Sequence, residues 1–415
     1  MTSEIPVDFD AITDAGRDAL AAGDKRVAAK LFELATALAR DREEQRVSLV
    51  PALGRSLRAV GELRRAEELL NEVADRSGDA PSRFAFFEAA SLRDYMAASP
   101  GSFHELQEAS KLPPDSEPEV RARARIVEAE VRWTIGKYSE METPLADARD
   151  AADEVGGPEG RSLLNSIGGW KARALLLGPT PAGDGLGVCE DILQEARDTG
   201  SHALEAAVLA VSAGLHAMLG EFEEARRRYK ESRRIGEAFG LDAWLAALPL
   251  YSGPVELLDA RAADARRQLR RGYEALERMG DRSRRATTAA FLAQALYEQQ
   301  RDDEAMPFAR KSKGLAAVDD VFTQVAWRGA LAKILARDGD CEAAVPLAQE
   351  AVDLANSTDG LNLRGDALLD RALVRRECGL PDAEESADEA RARYHEKGNE
   401  AGVRRVAREF GEPSA

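Results

Sequence analysis

The residue types that most often carry chemistry are few in this chain and badly spaced for it. His104, His202, His216 and His395 are scattered. None has a partner at the separation that lets two imidazoles on one helix face share a metal. Ser166 lies in "LNSIG" (164–168), which approximates a nucleophile elbow. Leu stands where the first glycine belongs and no strand leads into it, so the strained turn that exposes a nucleophilic hydroxyl is not encoded. The acid pairs Asp302/Asp303 and Glu223/Glu224 are sequence neighbours, point apart on a helix, and read as solvated charges. Cys189, Cys341 and Cys378 form no C-x-x-C pair. Neither a zinc cage nor a disulfide framework is indicated, and a reducing cytoplasm is the expected setting. Gly183, Gly185 and Gly187 in "LGPTPAGDGLG" (177–187) suggest a phosphate-cradling loop, but no strand precedes them and no Lys-Ser/Thr follows, so an extended turn is expected. These readings imply a protein that is not an enzyme, with no cofactor and no metal.

What remains is surface, and its shape depends on the elements beneath. A short phrase recurs: a turn residue, four mostly charged or small residues, then in most versions Ala. Versions begin at Gly23 ("GDKRVA"), Gly61 ("GELRRA"), Gly136 ("GKYSEM"), Gly220 ("GEFEEA"), Ala260 ("ARAADA"), Gln300 ("QRDDEA"), Gly339 ("GDCEAA") and Gly379 ("GLPDAE"). From Gly220 onward they start 40, 40, 39 and 40 residues apart, with teeth missing near Ser99 and Gly178. A second comb of turn signals lies half a period away, at Ser77, Gly156, Thr199, Phe239, Met279, Val318, Thr358 and Lys397. Gly and Asn adopt left-handed backbone angles cheaply and end helices, so turns fall about every 20 residues. Between them apolar positions recur at three and four, as in Ala265, Leu269, Tyr273 and Leu276.

Each unit is therefore a helical hairpin, and the predicted fold is all-α: a right-handed superhelical solenoid of about ten helix-turn-helix hairpins with a period near 40 residues. The period makes residues 1–415 one array, with a weak joint at 111–120 ("KLPPDSEPEV") and the Gly/Pro-rich insertion at 177–187. The phrase assigns packing roles to Gly23, Ala28, Gly61, Ala66, Gly136, Gly220, Phe222, Ala225, Ala265, Ala305, Gly339, Ala344 and Gly379. Glycine closes a first helix, and Ala sits where two backbones approach too closely for a larger side chain. Phe291, Tyr297 and Trp327 read as inter-helix packing, with ligand contact as the alternative.

The formal charge of −17 argues against a general affinity for nucleic acid. The arginine groups between 226 and 285 are interleaved with acids, which fits a salt-bridged outer face; an anion-binding stripe is the alternative. "MTSEIPVDFD" lacks the basic start and apolar core of a signal peptide, and no run is long enough to span a bilayer, so no membrane association is expected.

The tracts 251–281 ("YSGPVELLDARAADARRQLRRGYEALERMGD"), 320–374 with its "LNLRGDALLDRA", and 392–409 with its "YHEKGN" resemble the C-terminal tetratricopeptide-like region of bacterial signalling proteins. In those proteins a class III nucleotidyl cyclase domain and an AAA-type ATPase domain precede the helical array. The resemblance extends to "LLLGPTPAGDGLGVCEDIL" and to the N-terminal hairpins. It implies a TPR-like fold and a protein or peptide partner such as an AAA-type ATPase or a nucleotidyl cyclase. The P-loop and the strand-borne aspartates of those domains do not occur in this sequence. Their catalysis is not carried over, and the chain is either a freestanding relative or a piece of a longer polypeptide.

A stack of hairpins presents its first helices along a concave wall that commonly receives a peptide or a partner helix. The polar residues expected there are Arg328, Lys333, Asn362, Arg364, Asp370 and Arg371. The expected function is a non-catalytic protein–protein interaction scaffold or regulatory module of a bacterial signalling or transcription-regulating system. The alternative is a sensory segment that binds a small effector, with the 177–187 tract as its mouth, and controls an associated ATPase or cyclase.

Overall fold

The computed structural model describes residues 8–74, 79–96, 101–111 and 117–411, with no β-strand among them. The turn expected at Ser77, the interruption near Ser99 and prolines 113 and 114 of the expected joint lie outside the described residues. Hairpins follow one another along the chain. The first four are α1 (Phe9–Ala22) with α2 (Lys25–Leu38), α3 (Glu43–Ala59) with α4 (Leu63–Ala74), α5 (Ala80–Met96) with α6 (Ser102–Ala109), and α7 (Pro118–Thr134) with α8 (Glu142–Val155). Then come α9 (Gly157–Leu177) with α10 (Ala182–Asp198) and α11 (His202–Met218) with α12 (Phe222–Ala238). The next first helix is broken at Leu248 into α13 (Asp242–Ala247) and α14 (Pro249–Leu258), and its partner is α15 (Ala262–Met279). The last hairpins are α16 (Arg282–Tyr297) with α17 (Asp302–Leu315), α18 (Val321–Arg337) with α19 (Cys341–Asn356), and α20 (Leu361–Glu377) with α21 (Ala383–Lys397), closed by α22 (Glu400–Phe410).

The repeated phrase takes the geometry that its residues dictate. Gly23, Gly61, Gly136, Gly220, Gly339 and Gly379 all have positive φ. Where the comb carries Ala260 and Gln300 instead, φ is 56° and 57°, and these are the only non-glycine residues in that region among the described ones. The alanine five residues on, at positions 28, 66, 225, 265, 305 and 344, is fully buried in each case. Phe222 packs on the cluster formed by Ala213, Ala217, Ala225 and Tyr229, between the two helices of its hairpin.

Curvature follows from which helices touch. First helices pack on first helices along the array: α3 on α5, α5 on α7, α7 on α9, α9 on α11, α11 on α14, α14 on α16, α16 on α18 and α18 on α20. In α11, packed on both sides, every residue from Ala206 to Met218 is buried. Second helices carry Arg and Glu and splay outward, so the inner wall is shorter than the outer one. The arginine-rich tract sits largely on that outer layer. Arg226 pairs with Glu223, Glu256 and Asp259, and Arg228 reaches Glu190 at 2.6 Å, as the salt-bridged reading expects.

The array winds far enough to touch itself. Helix α1 meets α9, α3 meets α13, α5 meets α16, α9 meets α20, and α11 and α14 meet α22. Polar groups lock this seam. Asp359 accepts from the backbone N–H groups of Tyr138 and Ser139 at 2.9 and 2.8 Å, and its own N–H donates to the Gly136 carbonyl. The buried Lys397 ammonium donates to the carbonyls of Leu175, Gly178 and Thr180 at 2.8, 2.8 and 2.6 Å. The phrase glycines have a second role here: a Cβ on Gly136 would lie 2.5 Å from the Thr358 methyl group, and one on Gly220 would strike Arg404.

Two expectations need correction. Cys341 and Cys378 are joined by a disulfide with a Cα–Cα distance of 5.8 Å, whereas no disulfide was expected. The physical reason is the repeat itself: 37 residues is close to one period, so the start of α19 and the end of α20 fall side by side. The glycine-rich tract is also less of a loop than its composition implies. Only residues 178–181 connect α9 to α10, and Gly183, Gly185 and Gly187 are helical. Pro181 precedes the helix and Asp184 lies in its first turn, both favourable at a helix start.

Candidate functional site

Because the seam closes the coil, the concave face becomes the wall of an axial cavity of about 360 Å³. Nearly all of its lining comes from first helices, α5, α7, α9, α11, α13, α14, α16, α18 and α20, together with α22; Tyr229 of α12 is an exception. One stretch of wall is aromatic. The Trp133 and Trp170 rings meet edge-on at 5.6 Å, and Trp244 lies 5.3 Å from Tyr251.

Charged groups from distant units converge on this space, and most are already partnered. Glu130 is held by Arg123 and Ser91, Arg284 by Asp281, and Arg405 by Glu298 at 2.9 Å. Asp366 accepts from the Tyr394 hydroxyl at 2.6 Å, and Asp320 caps α18 through Thr323. Burial raises the pKa of both carboxyls.

Two groups differ. Arg173 makes one hydrogen bond, from Nε to the Tyr251 hydroxyl at 3.2 Å, and its guanidinium carbon lies 5.1 Å from the Trp170 ring centroid. No carboxylate lies within ion-pair distance of it, and its Nη groups have no acceptor among the described residues. Asp94 has neither a hydrogen bond nor an ion pair among them. Burial pushes its carboxyl up to about 7; Glu130, Asp320 and Asp319 add to this, and Arg58 works against it.

The residues expected on the wall divide. Asn362 and Asp370 line the cavity. Lys333 is buried just behind, donating to Asp370 and Gln294, both lining residues, and burial lowers its pKa. Gly329 makes room for that pair, since a Cβ there would collide with the Asp370 carboxylate. Arg328, Arg364 and Arg371 lie elsewhere. Arg328 stacks on Trp327 at 4.3 Å and reaches Glu350; Arg364 holds the carbonyls of Asn356 and Thr358 at the end of α19; Arg371 bonds Ser386, Gln349 and Glu389 of outer helices. Among the aromatics, Phe291 lines the cavity, Trp327 is buried in a core cluster, and Tyr297 lies under Arg337.

Asp94, Trp133, Trp170, Arg173, Tyr251, Asp366 and Arg405 were not anticipated. One signal was available: Asn362, Asp366 and Asp370 are spaced by four and share one helix face. For the others, the phase of each first helix decides which residue faces inward, and the sequence leaves that phase loose. Of the histidines, His202 stacks on Phe239 at 3.7 Å and His216 bonds Glu221 at 2.5 Å, while His104 and His395 are exposed. Ser166 is exposed in the middle of α9, without a turn at its position.

The protein is a TPR-like α-solenoid whose inner wall encloses a cavity. No protein family's sequence profile matches this chain, and no curated protein matches it in sequence. Among solved structures it is similar to a Rap protein complexed with Competence and Sporulation Factor, with a TM-score of 0.56 at 14% identity, covering 87% of this chain and 98% of that one. A looser likeness, TM-score 0.36 at 15% identity, joins 92% of it to 51% of a signal transduction ATPase with numerous domains and a tetratricopeptide repeat sensor from Pyrococcus horikoshii. The Cut9–Hcn1 hetero-tetramer of APC/C gives a TM-score of 0.32 at 13% identity, covering 96% of each chain. These identities speak for fold alone.

Proposed function

We propose that the chain is a non-catalytic interaction and regulatory module that takes a segment of a protein partner into its axial cavity. The observation that carries this reading is the cavity itself, walled by first helices from most of the array and lined by aromatic and polar side chains. Such walls favour an extended chain, whose backbone and side chains meet several units at once. A cavity of about 360 Å³ is too small for a folded domain, so the partner contributes a tail, a loop or a short peptide. Residues 1–415 act as one unit in this reading, because the seam couples early hairpins to late ones. The setting we propose is signalling, with an ATPase or nucleotidyl cyclase as the controlled activity. Among the described residues no helix is long and apolar enough to cross a membrane.

A small effector is the second reading, and the cavity volume, within the usual range for small-ligand pockets, favours it. Panning a displayed random-peptide library against the purified chain separates the two. Enrichment of peptides that a Trp170→Ala variant no longer retains supports the first. Thermal stabilisation by a metabolite, without any peptide enrichment, supports the second. Hydrolysis or cyclisation of ATP by the purified chain, abolished by a point substitution, would overturn the non-catalytic assignment.

A further inference from the structure

Buried charges in folded proteins are almost always neutralised by a neighbour, because an isolated charge away from water costs several kcal/mol. Outside the axial cavity the buried charges among the described residues have partners: Lys397, without a carboxylate, is held by three carbonyls. Arg123, 4% exposed, is clasped by Glu88 and Glu130 at 2.8 and 2.9 Å. The cavity arginines Arg284 and Arg405 each have a carboxylate partner. Arg173 and Asp94 are part-buried and open to the cavity, and each lacks an ion-pair partner, in opposite senses within one space. The first is a guanidinium with its Nη fork unengaged; the second is a carboxyl with no donor. They do not pair with each other. They stand on α9 and α5, and the aromatic wall of Trp133 and Trp170 lines the same space.

We infer that the cavity is built for a short peptide that is charged in both senses: a carboxylate is received by Arg173, and an ammonium or guanidinium by Asp94. An apolar or aromatic residue of the same peptide lies against Trp133 and Trp170. This rests on the axial reading of the cavity proposed above. The chemistry of each subsite is direct. A guanidinium offers two parallel N–H donors that match the two oxygens of a carboxylate, and its stacking on Trp170 fixes the plane of the fork. Asp94 stands among Glu130, Asp319 and Asp320, with Arg58 the opposing charge, so an added cation meets a negative field. A ligand with both groups neutralises both orphans, whereas a singly charged one leaves the other uncompensated.

The test uses the full chain and a pool of random synthetic hexapeptides in three forms: free termini, C-terminal amide and N-terminal acetyl. Retained peptides are identified by mass spectrometry. The expected wild-type selection is for peptides with at least one carboxylate and at least one cation. Arg173→Gln should abolish selection for the carboxylate, and Asp94→Asn selection for the cation. Each should weaken retention of the best peptide by roughly 10- to 100-fold, as for loss of one charge-assisted hydrogen-bonded contact. Asp94→Asn should melt at or above the wild-type temperature, since it removes a part-buried carboxylate that has no donor; a structural role would lower it. If Arg173→Gln does not fold, Arg173→Lys keeps the charge without the fork and should lose part of the carboxylate selection. Retention of the same peptides by wild type and both variants would overturn this inference and leave the axial reading standing. No retention by the wild type would overturn both.

Discussion

Asp94 shows how a single residue reports on the site. Its carboxyl is raised to about 7 by burial, with Glu130, Asp320 and Asp319 adding to this and Arg58 opposing it, against an ordinary value of 3.8. An acid whose folded pKa is raised contributes stability that is fully present below the unfolded value and is lost as pH rises through the folded one. The window is therefore about pH 4 to 7. Urea unfolding at pH 5 and at pH 7.5 should show the wild type losing about 2–3 kcal/mol more than Asp94→Asn across that interval. A second residue-scale prediction concerns Gly329. An alanine there drives its methyl group into the Asp370 carboxylate that neutralises buried Lys333. Gly329→Ala should cost about 2–4 kcal/mol in chemical unfolding, the range for disrupting a buried ion pair. A cost below 0.5 kcal/mol would mean that α18 and α20 are not so closely apposed.

At the scale of elements, the comb of turns was the most legible feature of the sequence, because a left-handed residue at the end of each first helix is a local requirement of the hairpin. Ala260 and Gln300 occupy that conformation without being glycine. Ala260→Gly and Gln300→Gly should each raise stability by about 1 kcal/mol, since the steric cost of the left-handed region is relieved at an otherwise solvated turn. A fall in melting temperature for both would place the strain elsewhere. The cysteine pair was less legible. Its one-period spacing was present in the sequence, but only the packing of α19 on α20 brings the two ends together. The bridge closes a loop of 37 residues, and the chain-entropy account gives it up to about 4 kcal/mol. Reduction should lower the melting of the C-terminal hairpins, with the largest gain in hydrogen exchange in α19–α21 and the smallest in α1–α4. The aromatic wall escaped the sequence reading for a different reason. Trp133 and Trp170 stand at the spacing of ordinary core residues, and only the inward phase of α7 and α9 sets them against open space.

At the scale of the whole molecule, hairpins of near-equal size predict a curved stack, but the amount of winding per hairpin is a small angle that no motif encodes. The seam is where that angle becomes visible, and it decides whether the concave face is an open trough or a closed axis. Lys397 is central to it, holding three carbonyls at the α9–α10 connection from the far end of the chain. Lys397→Met should leave those carbonyls without donors and cost about 2–4 kcal/mol. With the turns no longer latched, small-angle scattering should show a longer molecule. The claim that most depends on this winding is that the ligand enters the axis. Hydrogen–deuterium exchange of the full chain, with and without the best-retained hexapeptide, tests it most directly. Slowed exchange in the first helices α5, α7, α9, α14, α16 and α20, with α8, α10, α12 and α15 unchanged, is the predicted result. Protection confined to the outer second helices would contradict it.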